Sequence, residues 1–210
     1  MFPVRSDAFQ WSGSLDCKTG LANSIERSEM INNVETVELI QRRAHELFSN
    51  YPKWLVRRRV TFGSLFLRER SICDPLFGSR LLTFDSPFYN EENPRNKVEM
   101  FLPILGGILT NEEDPQQSEE NNSLGSLHFK LTVIPSKNQA TESLLELETR
   151  VVEFKPALAG SAPVGILRKM IYLLSQRLVH AYVMWRYHKY ISSELSNIKS
   201  SDEIQMRTDK

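Results

Sequence analysis

The 210-residue chain has two cysteines, four histidines and no net charge, and each shortage removes a class of protein. Cys17 and Cys73 stand too far apart for a metal knuckle and are too few for a disulfide framework, so they read as reduced thiols of a cytoplasmic protein. Twenty-six basic residues balance 26 acidic ones. No overall field draws the chain onto nucleic acid, and no nucleic-acid partner is expected. His45, His128, His180 and His188 never stand at ligand spacing on one element, so neither a metal nor another cofactor is predicted. The G-x-G-x-x-G, G-x-x-x-x-G-K, G-x-S-x-G, H-E-x-x-H and C-x-x-C patterns are all missing, and no catalytic residue is nominated. Residues 1–7 lack an apolar run of signal-peptide length. The most apolar stretch, 163–192, is interrupted by Arg168, Lys169, Arg177, Arg186 and Lys189, which argues against a membrane span.

What is present suits one globular domain with tails, since hydrophobic residues make up 40% and charged residues 25%. Residues 1–33 read as mostly irregular, with a possible strand at 9–15. From Val34, the apolar positions Val37, Ile40, Ala44, Leu47 and Phe48 recur at three and four, which predicts a helix to Tyr51-Pro52. A second helix is expected from Pro52 toward Arg70, weakened at Gly63. Strands follow at 79–85 and 98–104, and Gly106-Gly107 can turn a hairpin into 108–110. Residues 111–125 form a polar, acidic loop. Leu127, Phe129, Leu131 and Val133 then alternate with polar residues, the clearest strand in the chain. Residues 145–154 alternate too, but their parity slips by one at Val152, the mark of a bulge that curves a sheet. Pro163 begins one long helix to about 192, with Ile166, Leu167, Met170, Leu173, Leu174, Leu178, Ala181, Met184 and Trp185 on its apolar face. Residues 193–210 read as a flexible tail.

Two helices, an antiparallel meander and a long last helix make an α+β chain. Over 34–192 it resembles the helix-grip superfamily of START-like, Bet v 1-like and polyketide-cyclase-like domains. The resemblance rests on Leu-His-Phe-Lys-Leu-Thr-Val at 127–133, Leu-Glu-Leu-Glu-Thr-Arg-Val-Val at 145–152 and Arg-Lys-Met-Ile-Tyr-Leu-Leu-Ser-Gln-Arg-Leu-Val-His at 168–180. Trp54 matches a Trp in the second helix of a poorly characterised branch. The resemblance implies a curved sheet closed by the last helix around an apolar cavity. Members bind sterols, lipids or polyketides, cyclise them, or act as adaptors.

The expected partner is therefore a hydrophobic small molecule held between sheet and helix. Met100, Leu102, Phe129, Leu131, Leu147 and Thr149 from the sheet, with Met170, Leu174, Ala181 and Trp185 from the helix, are the candidate lining. Arg177 lies in the middle of the helix's apolar arc, where a cation must be paired, snorkel to the rim, or anchor a ligand's head group. A cyclase- or hydratase-like rival would use Arg177, His188 or Tyr182 to polarise a carbonyl. A third reading makes the fold an interaction scaffold, with 111–125 as its contact. Arg57-Arg58-Arg59 with Arg42 and Arg43 reads as a solvated face diluted by Glu35, Glu38 and Glu46. Tyr182, Trp185, Tyr187 and Tyr190 leave room for transient contact with a membrane surface.

Overall fold

The strongest alternation in the sequence lies at the centre of the sheet. In the computed structural model, which describes residues 9–32, 37–57, 65–90, 94–110, 124–135, 143–160 and 162–196, strand β8 (Ser126–Pro135) buries Leu127, Phe129, Leu131 and Val133. It pairs antiparallel with β7 (Lys97–Gly106) and β9 (Ser143–Phe154), and Leu131 lies opposite both Val98 and Leu147. Beyond β9 come β2 (Ala22–Asn32) and β1 (Gln10–Leu15). Beyond β7 come β5 (Arg80–Phe84), β4 (Ser71–Cys73) and β3 (Phe66–Arg68), while β6 (Phe88–Tyr89) also pairs with β7. Every pairing is antiparallel.

Four α-helices accompany this sheet among the described residues. Helix α1 (Val37–Ser49) buries Ile40, Ala44, Leu47 and Phe48, and Val37, the other position that the spacing selects, is partly buried against the same core. Pro52 sits in the first turn of α2 (Tyr51–Arg57), where a missing backbone N–H breaks no helical bond. At the C-terminal end, α3 (Ile166–Leu174) leads into α4 (Gln176–Ser196), which buries Val183, Met184, Tyr187, Ile191 and Leu195. Tyr187 joins α4 to the rest: its ring centroid lies 4.9 Å from Tyr51, 4.8 Å from Trp54 and 5.7 Å from Phe129. Its hydroxyl donates to the Leu47 carbonyl at 2.9 Å. A large curved antiparallel sheet gripped by a long C-terminal helix is the α+β, helix-grip-like architecture expected.

The parity slip in β9 is a bulge. Between the pairs Ser24–Val151 and Ala22–Phe154 the register shifts, and Glu153 takes a left-handed φ of 53°.

Four expectations need correction. Within 1–33 the described residues, 9–32, are mostly strand rather than irregular, because β1 and β2 occupy 10–15 and 22–32 and belong to the same sheet. The second helix is described from Tyr51 to Arg57 and does not run toward Arg70, because Phe66–Arg68 is a strand paired to β4 across a turn in which Glu69 has φ 56°. Residues 58–64 lie outside the described ones. Gly106-Gly107 does not start a hairpin strand. Ile108 and Leu109 donate to the carbonyls of Arg80 and Leu81, and Gly107 comes so close that a Cβ there would meet the Leu81 carbonyl oxygen at 2.4 Å.

The last correction concerns 163–192, which forms two helices rather than one. Ser175 interrupts them: its hydroxyl bonds back to the Ile171 carbonyl and its ψ is −79°. Such a back-bond bends helices. Met170 and Leu174, on the apolar arc of α3, do not pack on the sheet and are 53% and 67% exposed. No helix among the described residues is long and apolar enough to cross a membrane.

Candidate functional site

Where the sheet curves over α4, a cavity of about 210 Å³ remains. Its walls are Ile72, Leu82, Ile104, Leu127, Val151 and Phe154 from the sheet and Val183 from α4, with Tyr51 and Leu55 of α2 and Tyr172 of α3 closing the sides. Trp11, Asn23 and Val179, all exposed, mark its rim. Against this apolar lining stands a polar group of Ser24, Glu26 and His180.

That group follows from strand and helix geometry. Side chains of a strand alternate, so Ala22, Ser24, Glu26, Ser28 and Met30 share one face of β2, and Ala22, Glu26 and Met30 are buried on it. Ser24 and Ser28 are separated by about 13 Å of strand. His180 and His188 are separated by about 12 Å of helix. The two spacings match, so each serine meets a histidine: Ser24 Oγ lies 3.2 Å from His180 Nε2, and Ser28 Oγ lies 2.7 Å from His188 Nδ1. Glu26 falls between them.

Glu26 is fully buried, with its Oε2 accepting from Thr149 Oγ1 at 3.1 Å. Thr149 Oγ1 also lies 3.1 Å from His188 Nε2. Burial pushes the His188 pKa down to about 3, so the ring is neutral at ordinary pH. Thr149 has a single hydroxyl proton. If it is given to the Glu26 carboxylate, His188 Nε2–H donates to Thr149 and Nδ1 accepts from Ser28, which assigns the tautomer. The ring of Phe9 meets His188 edge-on at 5.2 Å. The other carboxylate oxygen, Oε1, lies 3.3 Å from His180 Nε2 but takes part in no hydrogen bond. A buried oxygen in that condition calls for a donor, because desolvating it without one costs about 1–3 kcal/mol. The Tyr51 hydroxyl, in the same wall, is held well above its ordinary range by burial and then by the Glu26 charge.

The residues singled out in the sequence are distributed differently from this site. Met100, Leu102, Phe129, Leu131 and Leu147 are buried core. Met100 and Leu102 border a separate cavity of about 150 Å³ beside Phe48 and Phe84. Thr149 enters the polar network. Ala181 is buried, and Trp185 is partly buried beneath Lys189, whose Nζ lies 4.0 Å from the ring. The helix instead lines the cavity with Val179, His180 and Val183. The Arg177 side chain lies outside the described ones, as does the 111–123 part of the acidic loop. His188 sits behind the wall rather than in it, and Tyr182 is exposed. Sequence reasoning passed over Ser24, Glu26 and His180. No periodic signal marks them, because the inward face of β2 carries Ser24, Glu26 and Ser28 among its apolar positions.

Among the described residues, no three His, Cys, Asp or Glu side chains group to hold a metal ion. Neither a family model nor a curated protein matches the chain. Among solved structures it is similar to an uncharacterised protein from Rhizobium leguminosarum, at 9% identity over 86% of this chain and 99% of that one, with a TM-score of 0.28. It is also similar to CalU16 from Micromonospora echinospora, at 13% identity over 90% and 94% of the two chains, with a TM-score of 0.25. At such TM-scores the overlap is too loose to transfer any residue or activity.

Proposed function

We propose that the protein binds a hydrophobic or amphipathic small molecule in the cavity between the sheet and α4. The supporting observation is the lining itself: apolar side chains from seven strands and three helices surround the polar cluster of Ser24, Glu26 and His180, the usual composition of a ligand pocket. Binding is favoured over turnover because the Ser24 hydroxyl and the Glu26 carboxylate meet the same His180 nitrogen, Nε2, so the carboxylate does not orient the ring from Nδ1 as a serine triad requires. Naphthalene, followed by ligand-observed NMR, tests the reading. Saturable binding is expected in the wild type, and Val183→Phe should fill the space and abolish it while leaving the circular dichroism unchanged. No saturable binding, or equal binding by the variant, refutes the proposal.

A second reading concerns α3. Ile166, Leu167, Met170 and Leu174 are all more than half exposed, and the cations Arg168 and Lys169 stand among them. An apolar ridge flanked by cations suits transient contact with an anionic membrane surface. Co-sedimentation with phosphatidylserine vesicles should then be seen for the wild type and lost in Leu174→Asp. Equal sedimentation of the two would remove this reading.

A further inference from the structure

We infer that the cavity selects a compact apolar molecule carrying one hydroxyl, an alcohol or a phenol, whose O–H donates to Glu26 Oε1 beside His180. The inference rests on the binding reading above and narrows its ligand. Glu26 is fully buried and lines the cavity, its Oε2 is occupied by Thr149, and no hydrogen bond reaches Oε1. The missing partner is therefore a donor, and because Glu26 belongs to the cavity wall a molecule in the cavity can supply it.

The neighbours of Oε1 decide which donor. His180 Nε2 lies 3.3 Å from Oε1 and 3.2 Å from the Ser24 hydroxyl. A ligand hydroxyl placed there donates to the carboxylate and still accepts from the ring nitrogen or from Ser24. An ammonium could also donate to Oε1, but it brings a second full charge out of water into an apolar wall, at a large desolvation cost. A ligand carboxylate only accepts, and would set a second negative charge against Glu26. Size limits the rest of the molecule: an apolar cavity of about 150 Å³ holds benzene. The 210 Å³ here suits about eight heavy atoms on that scale, and the exposed rim at Trp11, Asn23 and Val179 leaves room for the rest of a second ring. Sterols and two-chain lipids exceed it.

Three probes of nearly equal shape test the assignment: 2-naphthol, naphthalene, and 2-fluoronaphthalene, which cannot donate. By calorimetric or NMR titration, wild type should bind 2-naphthol at least tenfold more tightly than the other two, the discrimination expected of a hydrogen bond to a buried charged group. In Glu26→Gln the amide oxygen takes the Thr149 bond and the NH2 faces the cavity, a donor where an acceptor was. The preference should fall to within about threefold, with naphthalene binding retained. Equal wild-type affinities for all three probes overturn the hydroxyl assignment while leaving the binding proposal standing. A preference that survives Glu26→Gln overturns Glu26 as the acceptor. Failure of naphthalene to bind at all instead overturns the underlying binding reading. The wild-type comparison needs no variant, so it decides the matter even if Glu26→Gln does not fold.

Discussion

His188 should make this protein lose stability as the pH falls, and by a predictable amount. The ring is 2% exposed, its Nδ1 is bonded to Ser28 and its Nε2 to Thr149. Burial lowers its pKa from 6.5 to about 3 in the folded chain. The unfolded chain keeps a histidine pKa of about 6.5. Between those values the unfolded state binds one proton more than the folded state, so stability is full above pH 6.5 and declines toward pH 3. The slope is about 1.4 kcal/mol per pH unit, and the loss between pH 7.5 and 5.0 is about 2 kcal/mol. Glu148 works in the same direction: burial raises its pKa, but the bonds from Arg150 and Arg27 outweigh burial and hold it below the usual range. Comparing the wild type with His188→Gln cancels such shared contributions. Urea unfolding of both at pH 7.5, 6.0 and 5.0 should show the variant less stable at pH 7.5, with the gap closing by about 2 kcal/mol at pH 5.0. A gap constant to within about 0.5 kcal/mol would refute the assignment of a buried neutral ring.

Two further perturbations test the packing. Leu147→Ala, at a fully buried position, should lower the unfolding free energy by about 2–5 kcal/mol, whereas Leu174→Asp on the exposed face of α3 should change it by no more than about 0.5 kcal/mol. Comparable losses in urea would place that face of α3 in the core. Tyr187→Phe removes the hydrogen bond to the Leu47 carbonyl but keeps the ring contacts, and should lower stability by about 1 kcal/mol. An unchanged melting temperature would show that this buried hydroxyl contributes nothing.

Periodicity alone was sufficient for α1, β8 and β9, bulge included, because the apolar side chains recur at the spacing of the element; β9 also buries Glu148 and Thr149, which the alternation does not mark. The order of these elements also carried the helix-grip architecture. It was not sufficient for β2. The buried face of that strand carries Ser24, Glu26 and Ser28, so its pattern looks polar and irregular until His180 and His188, more than 150 residues away, are seen to meet it. Nor could a helical wheel reveal which way α3 faces, because a wheel treats 163–192 as one cylinder and Ser175 bends it. Of the nominated lining residues, only Thr149 entered the polar network, since which side chains meet a cavity depends on how the sheet curves and which flank of α4 it meets. Local patterning determined which residues are buried in most elements. Only the tertiary structure decided where burial brought a carboxylate to an apolar wall with one oxygen lacking a donor, because that depends on contacts between elements distant in sequence.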